Sequence, residues 1–210
     1  MNKLIILILV LFILFYLIKK DNNKSFMIPN LKKYKIAEKM GKWYIKEYNS
    51  TFGIIPYKTA VMFDIDDTLL YINDSPHFKN KRSKTTLIKP MKELLDYCIN
   101  NDLLIIIITA RDNNYKGYTI QQLNEYSINY SFLYLHEGYQ GETNDDFTNF
   151  KSKLKKELYN KYKIKIIMSV GDNYIDIVGA YSGYGLKLPN KTDSSLYEVF
   201  PNSSELVKIC

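Results

Sequence analysis

The sequence predicts an open, doubly wound α/β domain behind an apolar N-terminal segment. Three observations carry this: strands and helices alternate along most of the chain, most strands are apolar without alternation, and acidic residues gather directly after them. Uninterrupted apolar strands belong to a mostly parallel sheet with helices on both faces, since such a sheet has no wet side.

The first element is "MNKLIILILVLFILFYLIKK", with fifteen uninterrupted apolar residues from Leu4 to Ile18. As a helix these cover about 22 Å, short of a hydrocarbon core of roughly 30 Å, but flanking lysines can snorkel and the bilayer can thin. No small-x-small cleavage site follows in "YLIKKDNNKSF", which favours an uncleaved anchor over a signal peptide. The segment is apolar all round, unlike a core helix with a polar face. Residues 1–20 are therefore expected to be a transmembrane anchor, 21–30 a polar linker and 31–210 the α/β domain. Lys19, Lys20 and Lys24 follow the segment and Lys3 precedes it, which favours the cytosolic side for the domain. Sequons at Asn49 and Asn190 permit a lumenal reading.

Apolar residues from Leu31 to Tyr48 recur at helical spacing. "YKTAVMFD" (57–64) reads as a buried strand. Pro90 starts a helix, "PMKELLDYCINN", in which Cys98 takes a buried position. "LLIIIITA" (103–110) is a second apolar strand, followed by a helix around "YTIQQLNEYS". "YSFLYLHE" (130–137) is the third strand, "FTNFKSKLKKELYNKY" an amphipathic helix, and "IKIIMSVG" (164–171) the fourth strand. "NYIDIVGAYS" reads as a short helix and "GLKLPN" as a short closing strand. Between Tyr71 and Asp102 the chain reads as one loop and one helix. Between Asn113 and Asn149 it reads as a helix, a strand and a loop. Neither stretch has the length of a folded lid, so the site is expected to be open.

Composition narrows the functional classes. The net charge is +7, and three of the lysines lie in the first twenty residues, so the remainder holds 26 Lys plus Arg against 22 Asp plus Glu. That mild excess, without a dense basic stripe, gives no strong nucleic-acid signal. The two cysteines, Cys98 and Cys210, make neither a disulfide framework nor a metal-ligand pattern. His77 and His136 are isolated.

In a doubly wound sheet, ligands bind beyond the carboxyl ends of the strands near the topological switch point. Asp64, Asp66 and Thr68 end the first strand in "VMFDIDDTLL". Thr109 ends the second, with Arg111 two residues on. Gly171 and Asp172 end the fourth, with Asp176 one turn further. Lys151 is expected to open the helix before the fourth strand.

Taken in order, "DIDDT", the strand ending in "TAR", the "FKS" lysine and "GDNYID" resemble the haloacid dehalogenase (HAD) superfamily phosphatases. The closest likeness is to the acid phosphatase branch, with its class B and C enzymes and plant vegetative storage proteins. The likeness covers residues 31–190 and extends to the "KLPN" stretch. It implies a Mg²⁺-dependent phosphomonoester hydrolase acting on a small phosphomonoester. Asp64 would be the nucleophile that forms an aspartyl-phosphate. Asp66 would be the general acid and base. Thr109 and Lys151 would hold the phosphoryl group. The resemblance assigns Mg²⁺ to Asp64, Asp172 and the backbone carbonyl of Asp66, with Asp176 behind them. Lys153, Lys155 and Lys156 lie close to Lys151 and read as the solvated face of their helix. Arg111 either binds substrate phosphate or pairs with a surface acid. A nucleotidase or polynucleotide-end phosphatase would use the same acids. A non-catalytic storage relative is the remaining alternative, but such relatives lack the first aspartate, which Asp64 supplies here.

Overall fold

The computed structural model describes residues 28–73, 85–138, 144–201, 203 and 205–210. The expected anchor, most of the linker and His77 lie outside the described residues. Among those described, no helix is long and apolar enough to cross a membrane.

Helix α1 (Leu31–Phe52) leads into β1 (Thr59–Phe63), and β2 (Leu70–Ile72) and β3 (Thr85–Leu87) follow. Next come α2 (Lys89–Ile99), β4 (Leu104–Asp112), a 3-10 turn at Asn113–Tyr115, α3 (Lys116–Glu125) and β5 (Phe132–His136). The chain continues through α4 (Asn144–Tyr162), β6 (Lys165–Gly171), α5 (Tyr174–Ile177), β7 (Tyr184–Lys187), β8 (Tyr197–Val199) and β9 (Val207–Lys208). The main sheet runs β5-β4-β1-β6-β7-β8-β9. Its first five strands are parallel, and β8 and β9 add an antiparallel edge. The strand order reverses at β1, between β4 on one side and β6 on the other. That is the switch point expected from the sequence.

Alternate strand residues explain why both faces are covered. Val61, Phe63, Ile105 and Ile107 join one apolar cluster with Tyr34, Ala37 and Ile45 of α1, Leu94 and Cys98 of α2, and Leu123 of α3. Ala60, Met62, Ile106 and Ile108 point the other way, to Leu158, with Phe150 and Leu154 of α4 against them. Gly41 lets α1 approach α2, since a Cβ there would lie 2.8 Å from Leu94 Cδ2.

Two expectations need correction. The stretch after Tyr71 is more than a loop and a helix, because β2 and β3 pair as a small antiparallel sheet. Lys151 does not open its helix. It lies two turns inside α4, because the helix begins at Asn144 rather than near Phe147.

Candidate active site

The loop after β1 carries the first acids. Asp64 continues the ladder, its N–H donating to Val170 O at 3.0 Å. The chain then curls so that Ile65 O accepts from Leu69 N and Leu70 N at 2.8 and 2.9 Å. Asp67 takes a left-handed conformation, φ 53°, which Asp tolerates better than most residues. Its carboxylate accepts from Ile72 N at 3.3 Å, and the residue lines the same cleft as Asp64 and Asp66. Thr68 is buried, and its N–H donates to Ile65 O at 3.3 Å, in keeping with a loop-shaping role. The Tyr34 hydroxyl lies 3.0 Å from Asp67 O and 2.8 Å from Pro189 O. The N-terminal helix thereby pins this loop to the segment after β7.

The end of β6 supplies the opposing acids. Asp172 follows Gly171, and Asp176 sits in α5, where it forms a capping box with Asn173: Asn173 N donates to Asp176 Oδ2 at 2.9 Å. Gly171 is required here because a Cβ at that position would collide with the Asp176 side chain. Asp172 O accepts from Asn190 Nδ2 at 2.9 Å. The amide of this sequon asparagine is thus engaged within the fold.

Carboxylate oxygens of Asp64, Asp172 and Asp176, all three buried, lie within 4.8 Å of one another. Lys151 reaches in from α4 on the far face of the sheet. Its Nζ donates to Asp64 Oδ1 at 2.9 Å and also to Asp176 Oδ1. With all three carboxylates ionised, their negative charge exceeds that of the one ammonium bonded to them, an excess that a divalent cation would offset. The all-oxygen, carboxylate-rich donor set suits a hard cation such as Mg²⁺. Titration behaviour follows from the same crowding. Burial pushes the Asp64 carboxyl up to about 7; Lys151 pulls it down, and Asp176 and Asp66 raise it further. Burial, then Asp176 and Asp64, hold Asp172 well above the usual carboxylate range. Burial alone would lower the Lys151 ammonium, but facing Asp176 and Asp64 more than reverse this and keep it charged.

Asp66 occupies a different setting. Arg111 grips it bidentately, Nε to Oδ2 at 2.9 Å and Nη2 to Oδ1 at 2.6 Å. The guanidinium is itself buried and held by Gln122 Oε1 at 2.8 Å and Thr119 Oγ1 at 3.4 Å. Arg111 lines the cleft of the site and pairs with an acid of that site rather than with a surface acid. The reason is geometric: β4 lies beside β1, so residues at their two ends face each other. Thr109 does not end its strand as expected, because β4 runs on through Arg111 to Asp112; it is buried, and its Oγ1 accepts from Arg111 N at 3.2 Å. A cleft of about 220 Å³ joins these groups, lined by Asp64, Asp66, Thr109, Arg111, Lys151, Asp172 and Asp176. Asn173, Ile175 and Lys191 line it too. The sequence did not single these out, although Asn173 lies within "GDNYID". Lys153 and Lys156 are exposed as expected, but Lys155 is fully buried, a correction to its reading as part of the solvated face. Burial lowers it to about 7, against the pull of Asp176. His136 packs edge-on against Phe147 and Phe150.

The sequence profile of HAD superfamily, subfamily IIIB (Acid phosphatase), matches residues 19–203. The chain belongs to this family. No curated protein matches it. Among solved structures, the class C acid phosphatase from Bacillus anthracis is 16% identical with a TM-score of 0.52, over 71% of this chain and 65% of that one. The same enzyme with tungstate bound is 15% identical with a TM-score of 0.52, over 74% of this chain and 68% of that one. A Pnkp1/Rnl/Hen1 complex contains a chain 19% identical with a TM-score of 0.50, over 62% of this chain. This protein spans 45% of that chain's length. At these identities the likenesses show a shared α/β fold.

Proposed function

We propose that the protein is a Mg²⁺-dependent phosphomonoesterase working through an aspartyl-phosphate on Asp64. The observation that carries the reading is the convergence of Asp64, Asp172 and Asp176 on one point, with Lys151 the sole ammonium bonded to their carboxylates among the described contacts. Asp64 Oδ attacks phosphorus, and the P–O bond to the alcohol breaks. Asp66 gives the departing oxygen a proton, then takes one from the water that hydrolyses the acyl phosphate, releasing orthophosphate. Arg111 orients Asp66 for both transfers. Thr109 and Lys151 hold the phosphoryl oxygens. Mg²⁺, held by Asp64, Asp172 and the Asp66 carbonyl with Asp176 in support, would offset the repulsion between a phosphate ester and these acids.

A phosphatase panel on the full chain with and without Mg²⁺ tests this. It should contain an aryl phosphate, 5′-nucleotides and 3′-phosphorylated DNA. Mg²⁺-dependent release from the small esters is expected. Release confined to the DNA end would move the substrate to nucleic acid, and no release from any of them would refute the activity. Residues 1–20 would tether the domain to a membrane on its cytosolic side, a reading supported by the run Leu4–Ile18 and by Lys19, Lys20 and Lys24. Protease protection of tagged protein in sealed vesicles tests it, since a cytosolic domain is digested without detergent.

A further inference from the structure

Lys155 is fully buried one turn after Lys151, on the inward stripe of α4 that also carries Leu154 and Leu158. A methionine or leucine would suit that stripe better, because burying an ammonium away from water is costly unless it is well bonded. No carboxylate oxygen bonds its Nζ among the described contacts, although the Asp176 carboxylate is near enough to pull on its charge. Instead it donates to Asp176 O at 2.5 Å and to Ser182 Oγ at 2.9 Å, and approaches Val178 O at 3.5 Å. Ser182 Oγ donates onward to Val178 O at 2.6 Å, and Ser182 O accepts from Ser169 Oγ of β6 at 2.7 Å.

Asp176 is the third residue of α5, and Val178 and Ser182 lie in the short connection from α5 to β7. That connection follows directly on the helix that carries this member of the carboxylate cluster, and it holds two of the left-handed glycines, Gly179 (φ 96°) and Gly183 (φ 68°). A segment so permissive in backbone conformation needs outside restraint. Helix α4 supplies it twice. Lys151 holds the Asp176 side chain, and four residues later Lys155 holds the Asp176 backbone.

We propose that Lys155 is a positioning residue for the metal site, fixing the connection after Asp176 so that the three carboxylates stand converged before a cation arrives. This rests on the reading that Asp64, Asp172 and Asp176 hold a divalent ion. Outer groups that orient ligands are typically worth about 10- to 100-fold in metal affinity.

The test is calorimetric Mg²⁺ titration of the full chain, alongside metal-free melting curves and phosphatase kinetics. Lys155→Met is expected to weaken Mg²⁺ by about tenfold or more, with kcat and the substrate KM recovering at saturating Mg²⁺. Ser182→Ala should shift affinity in the same direction by less. Leu158→Ala is the control for a merely weakened core, and it should lower the melting temperature while leaving Mg²⁺ affinity near the parent value. Parental Mg²⁺ affinity in Lys155→Met overturns the proposal, as does equal weakening in Leu158→Ala. If Lys155→Met does not fold, Ser182→Ala decides: weakened affinity supports the proposal and unchanged affinity overturns it. Absence of Mg²⁺ binding by the parent chain would take down the metal reading as well, whereas parental binding with an unaffected variant removes the role of Lys155 alone.

Discussion

Asp64 and Asp66 stand two residues apart on one loop, yet they belong to opposite electrostatic settings. Asp64 looks across to the end of β6, where acids outnumber the single ammonium of Lys151. Asp66 looks to the end of β4, where Arg111 matches it charge for charge in a bidentate pair. The first half of the site is left anionic and suits a cation. The second is complete from protein groups alone. On the proposed mechanism, the difference is how one loop would offer a nucleophile and a proton carrier: the neighbours set the role of each carboxyl, not its type.

The sharpest way to break this division is Asp64→Asn. Turnover should fall on the order of 10⁴-fold or more, the scale of losing a nucleophile. The metal-free variant should nevertheless melt no lower than the parent at pH 8. The folded Asp64 carboxyl is raised to about 7, so its protonated form favours the fold. That stabilisation is complete below the unfolded value of about 4 and is lost as pH climbs through 7. Asparagine imitates the protonated form at every pH. A variant that keeps turnover would remove Asp64 from the chemistry.

Replacing Arg111 by Met probes the other half. Loss of the group that aims the proton carrier should cost about 10²- to 10³-fold in kcat, while Mg²⁺ affinity should change far less, since among the described contacts the guanidinium bonds the Asp66 side chain and none of the carboxylates of Asp64, Asp172 and Asp176. Arg111→Lys should not restore activity, because an ammonium cannot reproduce the two-point grip. Equal loss of Mg²⁺ binding and turnover in Arg111→Met would mean that the halves are not separate. A third expectation concerns pH. A cation must displace the protons that Asp64 and Asp172 hold above the usual carboxylate range, so Mg²⁺ affinity should rise by about tenfold per unit or more as pH approaches 7. A flat profile from pH 5 to 7 would show that Asp64 is ionised throughout. The smallest effect is expected for Tyr34→Phe, which loses the hydroxyl between Asp67 O and Pro189 O. It should cost about 1–2 kcal/mol in denaturant unfolding and shift both halves of the site together.

The residues of both halves were singled out in the sequence, but the pairing of Asp66 with Arg111 was not. Asp64 and Asp172 directly follow strands whose apolar runs announce them, and a parallel sheet brings such ends together by construction. Nothing local marks Arg111 as the partner of a residue 45 positions earlier; only the adjacency of β1 and β4 creates the pair. Lys155 could have been found. Lys151, Leu154, Lys155 and Leu158 follow helical spacing on one side of α4, which separates the buried lysines from exposed Lys153 and Lys156. The β2–β3 pair and the β8–β9 edge escaped notice because strands of two or three residues are too short to show a period.

The central claim is that the uncompensated charge around Asp64 is matched by a single divalent ion. Calorimetric titration of Mg²⁺ at pH 8 into the parent chain and into Asp172→Asn tests it directly. The account predicts one site per parent chain, weakened about 100-fold or more in the variant, with the Asp66–Arg111 half left intact. Equal affinity in the two proteins would contradict it.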